Sequence, residues 1–206
     1  MKHLNKITLK ALALAATVFI ASSCQIANEP VSSPLNDSAQ QTATGRTIKV
    51  DAVSLTQGFE VGATSPKTAY DVSPAGSASG DNVTITGTQW NLYDALIGNL
   101  AADQRVGSWS ARVRNTGKIT MLYDVTTGIS SVTIKHATYS GDAASTWGLF
   151  YSTNGGSSWT QTGSAVTTGA TLQTQTFTFS VTGTVRLEIR KLTGGSNRIN
   201  IDDITI

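Results

Sequence analysis

Val185-Arg186-Leu187-Glu188-Ile189-Arg190 alternates apolar and charged residues without a break. Successive side chains of an extended strand point to opposite faces, so Val185, Leu187 and Ile189 turn toward a core while Arg186, Glu188 and Arg190 stay wet. Working outward from this stretch, short runs rich in Val, Ile, Thr, Phe and Tyr are separated by Gly, Asn, Asp and Ser. That pattern predicts strands over 47–55, 68–72, 82–86, 89–93, 109–114, 119–125, 131–139, 147–152, 173–181, 185–191 and 198–206. No window has the apolar spacing of a long amphipathic helix, and 94–104 has room for a turn or two at most. So many strands without helical crossovers predict an all-β fold: a two-sheet antiparallel β-sandwich of jelly-roll type.

The last predicted strand breaks its own rule. Ile199 and Ile201 fall on odd positions, Ile204 and Ile206 on even ones, so the inward face changes parity across Asp202-Asp203. A β-bulge does this, and it re-aims one carboxylate. Acids at such a kink suit a hard cation, since calcium takes six to eight oxygens from carboxylates and backbone carbonyls. Glu60, in Gly58-Phe59-Glu60 near the other end of the domain, is the candidate third acid. These elements resemble the two ends of the jelly-roll carbohydrate-binding modules of bacterial polysaccharidases. That resemblance implies neighbouring termini and a structural Ca2+ held by Glu60, Asp202 and Asp203. The segments 107–114, 90–98 and 197–204 also resemble a β-sandwich domain attached to exported proteins and secreted nucleases of Bacteroidetes.

The N-terminus carries a different message. Lys2, Lys6 and Lys10 precede an apolar run from Ala11 to Ala21, then Ser22, Ser23 and Cys24, the chain's one cysteine. A basic flank, an apolar stretch too short for an ordinary membrane span and small residues before a cleavage point describe an export signal. With Cys24 directly after it, the segment resembles the bacterial lipoprotein box, although Ala21 stands where that box favours Leu. The resemblance implies acylation of Cys24 and a lipid anchor in the cell envelope, most simply the outer membrane. The expected organisation is a signal over 1–23, the acylated cysteine and a flexible tether over 24–46, and the sandwich over 47–206. The tether is Pro, Ser, Asn, Gln, Ala and Thr with isolated apolar residues, too few to offset chain entropy. Stretched out, it reaches roughly 60 Å.

Residues 1–23 hold three of the 15 lysines and arginines and none of the 13 acids. Beyond them acids exceed bases by one, and no basic cluster interrupts the Ser, Thr and Gly background. This gives no electrostatic basis for binding nucleic acid. With Cys24 acylated, no disulfide staples the domain, and about 150 residues suffice for a self-supporting core.

Catalysis finds little support. Beyond the signal the one histidine is His136, which shares parity with Val132 and Ile134 and reads as a core or sheet-face residue rather than a base. One histidine and no free thiol make no zinc site. Glycoside hydrolysis needs only two carboxylates, and Asp71, Asp94, Asp124 and Glu188 are available, but nothing in the sequence pairs them. Ser152-Thr153-Asn154-Gly155-Gly156-Ser157-Ser158-Trp159 resembles the Asp-box hairpin of sialidase-like propellers. A propeller would repeat it and this chain has one copy, so it reads as a turn.

Sugar binding is easier to motivate, because aromatic platforms supply area and adjacent polar groups supply orientation. The expected platform is Trp90 and Tyr93, with Asn91 and Arg105 beside them; Trp147, next to the polar loop 141–146, is the second choice. The expected function is a non-catalytic envelope lipoprotein that binds polysaccharide, alone or for partner polysaccharide-degrading enzymes, and touches membrane only through its lipid. The alternatives are a calcium-stiffened protein-interaction or adhesion module and an unrecognised hydrolase.

Overall fold

A computed structural model describes residues 54–60, 67–71 and 80–206. The expected signal, Cys24, the expected tether and most of the first predicted strand lie outside the described residues. Ten strands follow in order: β1 (Thr56–Gln57), β2 (Asp81–Ile85), β3 (Thr88–Gly98), β4 (Ser110–Met121), β5 (Ile129–Thr138), β6 (Thr146–Ser152), β7 (Thr160–Thr167), β8 (Gln173–Val181), β9 (Arg186–Lys191) and β10 (Ile199–Thr205). All their pairings are antiparallel. No helix among the described residues is long and apolar enough to cross a membrane.

Strand β4 organises the molecule. Its first half, Ala111–Val113, pairs with β10 on one side and the end of β3 on the other. Its second half, Lys118–Thr120, pairs with β9 and the beginning of β3. One layer therefore runs β2-β3-β4-β9-β6-β7 and the other β3-β4-β10-β5-β8, with the β3–β4 hairpin common to both. Both hairpin strands bend at one level. Asp94 and Asn115 adopt positive φ (44° and 49°), and the β3–β4 register shifts between Tyr93 and Ala95. Gly117 completes the corner, because a Cβ there would stand 2.6 Å from the Asp94 carbonyl oxygen. Asp94 fixes the bend by accepting hydrogen bonds from Arg114 Nε and Asn115 Nδ2, each at 2.7 Å.

Between the layers lies a core of Ile, Leu, Val and aromatic side chains. Trp90 packs edge-on against Tyr123, and Trp147 edge-on against both His136 and Phe177. The burial of such rings is the main force holding a disulfide-free sandwich together.

Three sequence expectations change. The segment 94–104 is not helical: β3 runs on to Gly98 and an irregular loop follows. The predicted strands 109–114 and 119–125 are one bent strand, and the described part of 68–72 carries no strand. Strand β7, unforeseen, is an edge strand whose residues are mostly exposed, so it lacks the alternation that marks a half-buried strand. The bulge in the final strand is present: Asp202 pairs with Lys135 and Thr205 with Thr133, an extra residue on β10, and Asp203 has φ 41°. Ile199, Ile201 and Ile204 thereby all reach the core.

Candidate functional site

The outer face of the β2-β3-β4-β9-β6-β7 layer is built by strand register. Asn82, Asn91, Thr120, Glu188, Phe150 and Gln161 follow one another across the strands, and Tyr93, Lys118, Arg190 and Gly148 form the adjacent row. Each alternates along its own strand with core residues such as Leu92, Ile119 and Ile189, which is why the rows face out. A groove of 640 Å³ lies over the β3–β4–β9 part of this face, lined by Asn91, Tyr93, Lys118, Thr120 and Glu188 from the strands and by Gly155, Gly156 and Trp159 from the β6–β7 turn.

That turn is the Asp-box-like segment, and its hydrogen bonds explain its shape. Asn154 Oδ1 accepts from Ser158 N at 3.0 Å, Ser152 Oγ accepts from Gly156 N at 2.9 Å, and Gly155 and Gly156 supply positive φ. Gly156 leaves the Trp159 ring close against the turn, with its own Cβ position 3.4 Å from Cζ2. Half-buried Trp159 is thus held at the groove with half-buried Tyr93.

The charges of the groove are largely spoken for. Glu188 accepts from Thr120 Oγ1 at 2.6 Å and from Arg190 Nε. The Arg190 guanidinium lies 4.1 Å from the Phe150 ring centroid and 5.9 Å from that of Trp159. Arg186 is bonded to the Asp124 carboxylate and donates to Gly155 O at 3.1 Å. Among the described residues, the ion pairs leave out Lys118, which stands between Tyr93 and Arg190 in its row.

The expected platform is therefore corrected. Trp90 is 1% exposed and Trp147 0%, both inside the core, so neither offers a ring face to a ligand. Positions 90 and 93 differ by an odd number, and in a continuous strand they must face opposite ways. Tyr93 and Asn91 do line the groove. Arg105 does not: its Nη1 donates to the carbonyls of Leu100 (2.7 Å) and Asp103 (3.0 Å), fastening the β3–β4 loop. Trp159 and Lys118 were missed, although the alternation of 118–121 already placed Lys118 outward, opposite Ile119 and Met121.

The acids at the chain ends meet the same β3–β4 loop. Buried Asp202 accepts from Val106 N at 2.7 Å and from Asp203 N at 2.9 Å, and Glu60 accepts from Ser108 N (2.7 Å) and Trp109 N (3.1 Å). Asp203 reaches Lys135 Nζ at 3.8 Å, and its Oδ1 lies 3.4 Å from where a Cβ on Gly58 would sit. Burial pushes the Asp202 carboxyl up to about 6, with the neighbouring Asp203 adding to the rise. No Lys or Arg pairs with Asp202 among the described residues. Nor do three His, Cys, Asp or Glu side chains there form a metal-holding group by themselves. An ion would need backbone carbonyls as well.

The other candidate carboxylates all have partners. Asp71 is bonded to Lys67 at 2.7 Å, Asp94 to Arg114, Asp124 to Arg186 and Glu188 to Arg190.

Among solved structures, the chain is similar to the K2 cleaved adhesin domain of Lys-gingipain, with 12% identity, 74% of this chain and 97% of that one covered, and a TM-score of 0.50. The chain is a jelly-roll β-sandwich. The K1 cleaved adhesin domain of Lys-gingipain from Porphyromonas gingivalis W83 matches at 12% identity over 75% of this sandwich chain and 97% of that one, with a TM-score of 0.48. The CBM22-1 xylan-binding domain from Paenibacillus barcinonensis Xyn10C matches at 10% identity over 63% and 95%, with a TM-score of 0.43. At these identities the likeness concerns the sandwich alone. No protein-family model and no curated protein matches the chain.

Proposed function

We propose that this protein is a non-catalytic glycan-binding module held at the bacterial envelope by acylated Cys24. The observation that carries the reading is the groove in which Tyr93 and Trp159 are held half-exposed beside Asn91, Thr120 and Lys118. Sugars present apolar ring faces bordered by hydroxyls, and such a combination of rings and hydrogen-bonding groups is complementary to them. The partnered states of Asp71, Asp94, Asp124 and Glu188 support a binding role, since a glycosidase needs two carboxylates facing across a substrate.

The test is binding of the full-length chain to a panel of insoluble and soluble polysaccharides. Tyr93→Ala and Trp159→Ala should each weaken binding about tenfold, roughly 1.4 kcal/mol, while the chain stays cooperatively folded. Binding that survives both substitutions would remove the groove from the account. Anchoring is separable: Cys24→Ala should move the protein from the membrane to the soluble fraction, and a variant that stays with the membrane would refute acylation at this residue.

The reading includes a structural Ca2+ ion to which Glu60, Asp202 and Asp203 would supply hard oxygens, Asp202 being a buried carboxylate without a cationic partner; the three do not form a metal-holding group by themselves among the described residues, so backbone carbonyls would have to complete the set. An ion there would neutralise the acids that converge on the β3–β4 loop.

A further inference from the structure

Resting on that glycan reading, we infer that the groove takes an acidic sugar, a uronate, whose carboxylate pairs with Lys118. The groove wall contains one acid among its lining residues, Glu188, and both of its oxygens are engaged, by Thr120 and by Arg190. Arg186, the other lining cation, is committed to Asp124 and to the Gly155 carbonyl. Glu188 balances Arg190 and Asp124 balances Arg186, so the groove has an excess of one positive charge, and it resides on Lys118.

Position makes this charge usable. Lys118 is cross-strand partner to Tyr93 on β3 and to Arg190 on β9. Directly paired residues hold their Cβ atoms about 5 Å apart. A uronate carries its carboxylate directly on the pyranose ring. A sugar stacked on Tyr93 therefore presents that carboxylate within reach of a side chain as long as lysine. A neutral sugar would gain only a hydrogen bond there, whereas a carboxylate forms a charge-assisted one. The half-buried setting makes the pair stronger than one in open solvent and leaves it sensitive to salt.

The experiment measures the full-length chain against matched pairs: polygalacturonate and its methyl ester, alginate and its propylene-glycol ester, glucuronoxylan and its carboxyl-reduced form. The acidic member of at least one pair should bind at least about fivefold more tightly, and the preference should shrink as salt is raised. Lys118→Gln should abolish that preference, weakening the acidic member at least about fivefold more than the neutral one, with the melting temperature unchanged. Equal binding of acidic and neutral members, or a preference untouched by Lys118→Gln, overturns the acidic ligand and leaves the glycan reading intact. Failure of every member to bind, with the protein folded, overturns both.

Discussion

His136 shows how one side chain can set the acid limit of a fold. It is buried against Trp147, its Nδ1 has no hydrogen-bond partner, and burial lowers its pKa from the ordinary 6.5 to about 4. The unfolded chain therefore binds the imidazole proton at a pH where the folded chain does not. The stability attached to neutral His136 is complete above about pH 6.5 and is lost as pH falls toward 4, a difference of about 3 kcal/mol. Asp202, pushed up to about 6, titrates across much of the same range with the opposite sign. The two must be separated by a variant. His136→Phe should keep the aromatic contact and lack the titration, so its stability relative to the unsubstituted chain should rise by about 3 kcal/mol between neutral pH and pH 4. A constant difference across that range would refute the burial argument. That His136 lies in the core was legible from its shared parity with Val132 and Ile134. The same rule, applied from Trp90 to Tyr93, would have separated those rings, whereas the position of Trp159 depends on how a turn folds back over a sheet and leaves no local signal.

Among elements, the β3–β4 loop is the piece most dependent on others. Gln104 N donates to Asn200 at 3.1 Å, Val106 N to Asp202, and Ser108 N and Trp109 N to Glu60, so residues from both chain ends hold it. Beneath it Arg112 makes two bonds to Asp103, at 2.7 and 2.5 Å, and Asn200 adds a third at 2.8 Å. If calcium joins Glu60 to the Asp202-Asp203 bulge, chelation should lower the melting temperature by about 8 °C, because an ion bound only to the folded state at a hundredfold excess over its Kd adds about 2.7 kcal/mol. Glu60→Gln should remove the chelator's effect. A melt identical in calcium and chelator would refute the ion. The bulge itself could be read from the sequence because Ile201 and Ile204 break parity. The bends of β3 and β4 could not: Asp94 and Asn115-Thr116-Gly117 carry the composition of a turn, and only pairing with strands distant in sequence keeps each strand continuous through them.

At the scale of the whole molecule, the two layers share the β3–β4 hairpin at one side, and at the other the strand order ends in β7 and β8, which lie against each other without hydrogen-bonded pairing, a Cβ on Gly163 standing 2.9 Å from Phe177 Cδ1. These outermost strands read Thr-Gln-Thr-Gly-Ser-Ala-Val-Thr and Gln-Thr-Gln-Thr-Phe-Thr-Phe-Ser-Val. Gly163 interrupts the first with a φ of 66°. An unpaired edge is a template for another chain, and sheet proteins guard it with polar side chains, irregular backbone or cover. Here the exposed hydroxyls and amides of both strands present a polar surface. Two copies meeting edge to edge would give up its water and bury few apolar side chains in return. Copies of this chain at high concentration would in this way stay dispersed, each sandwich remaining a separate particle rather than a seed for a growing sheet.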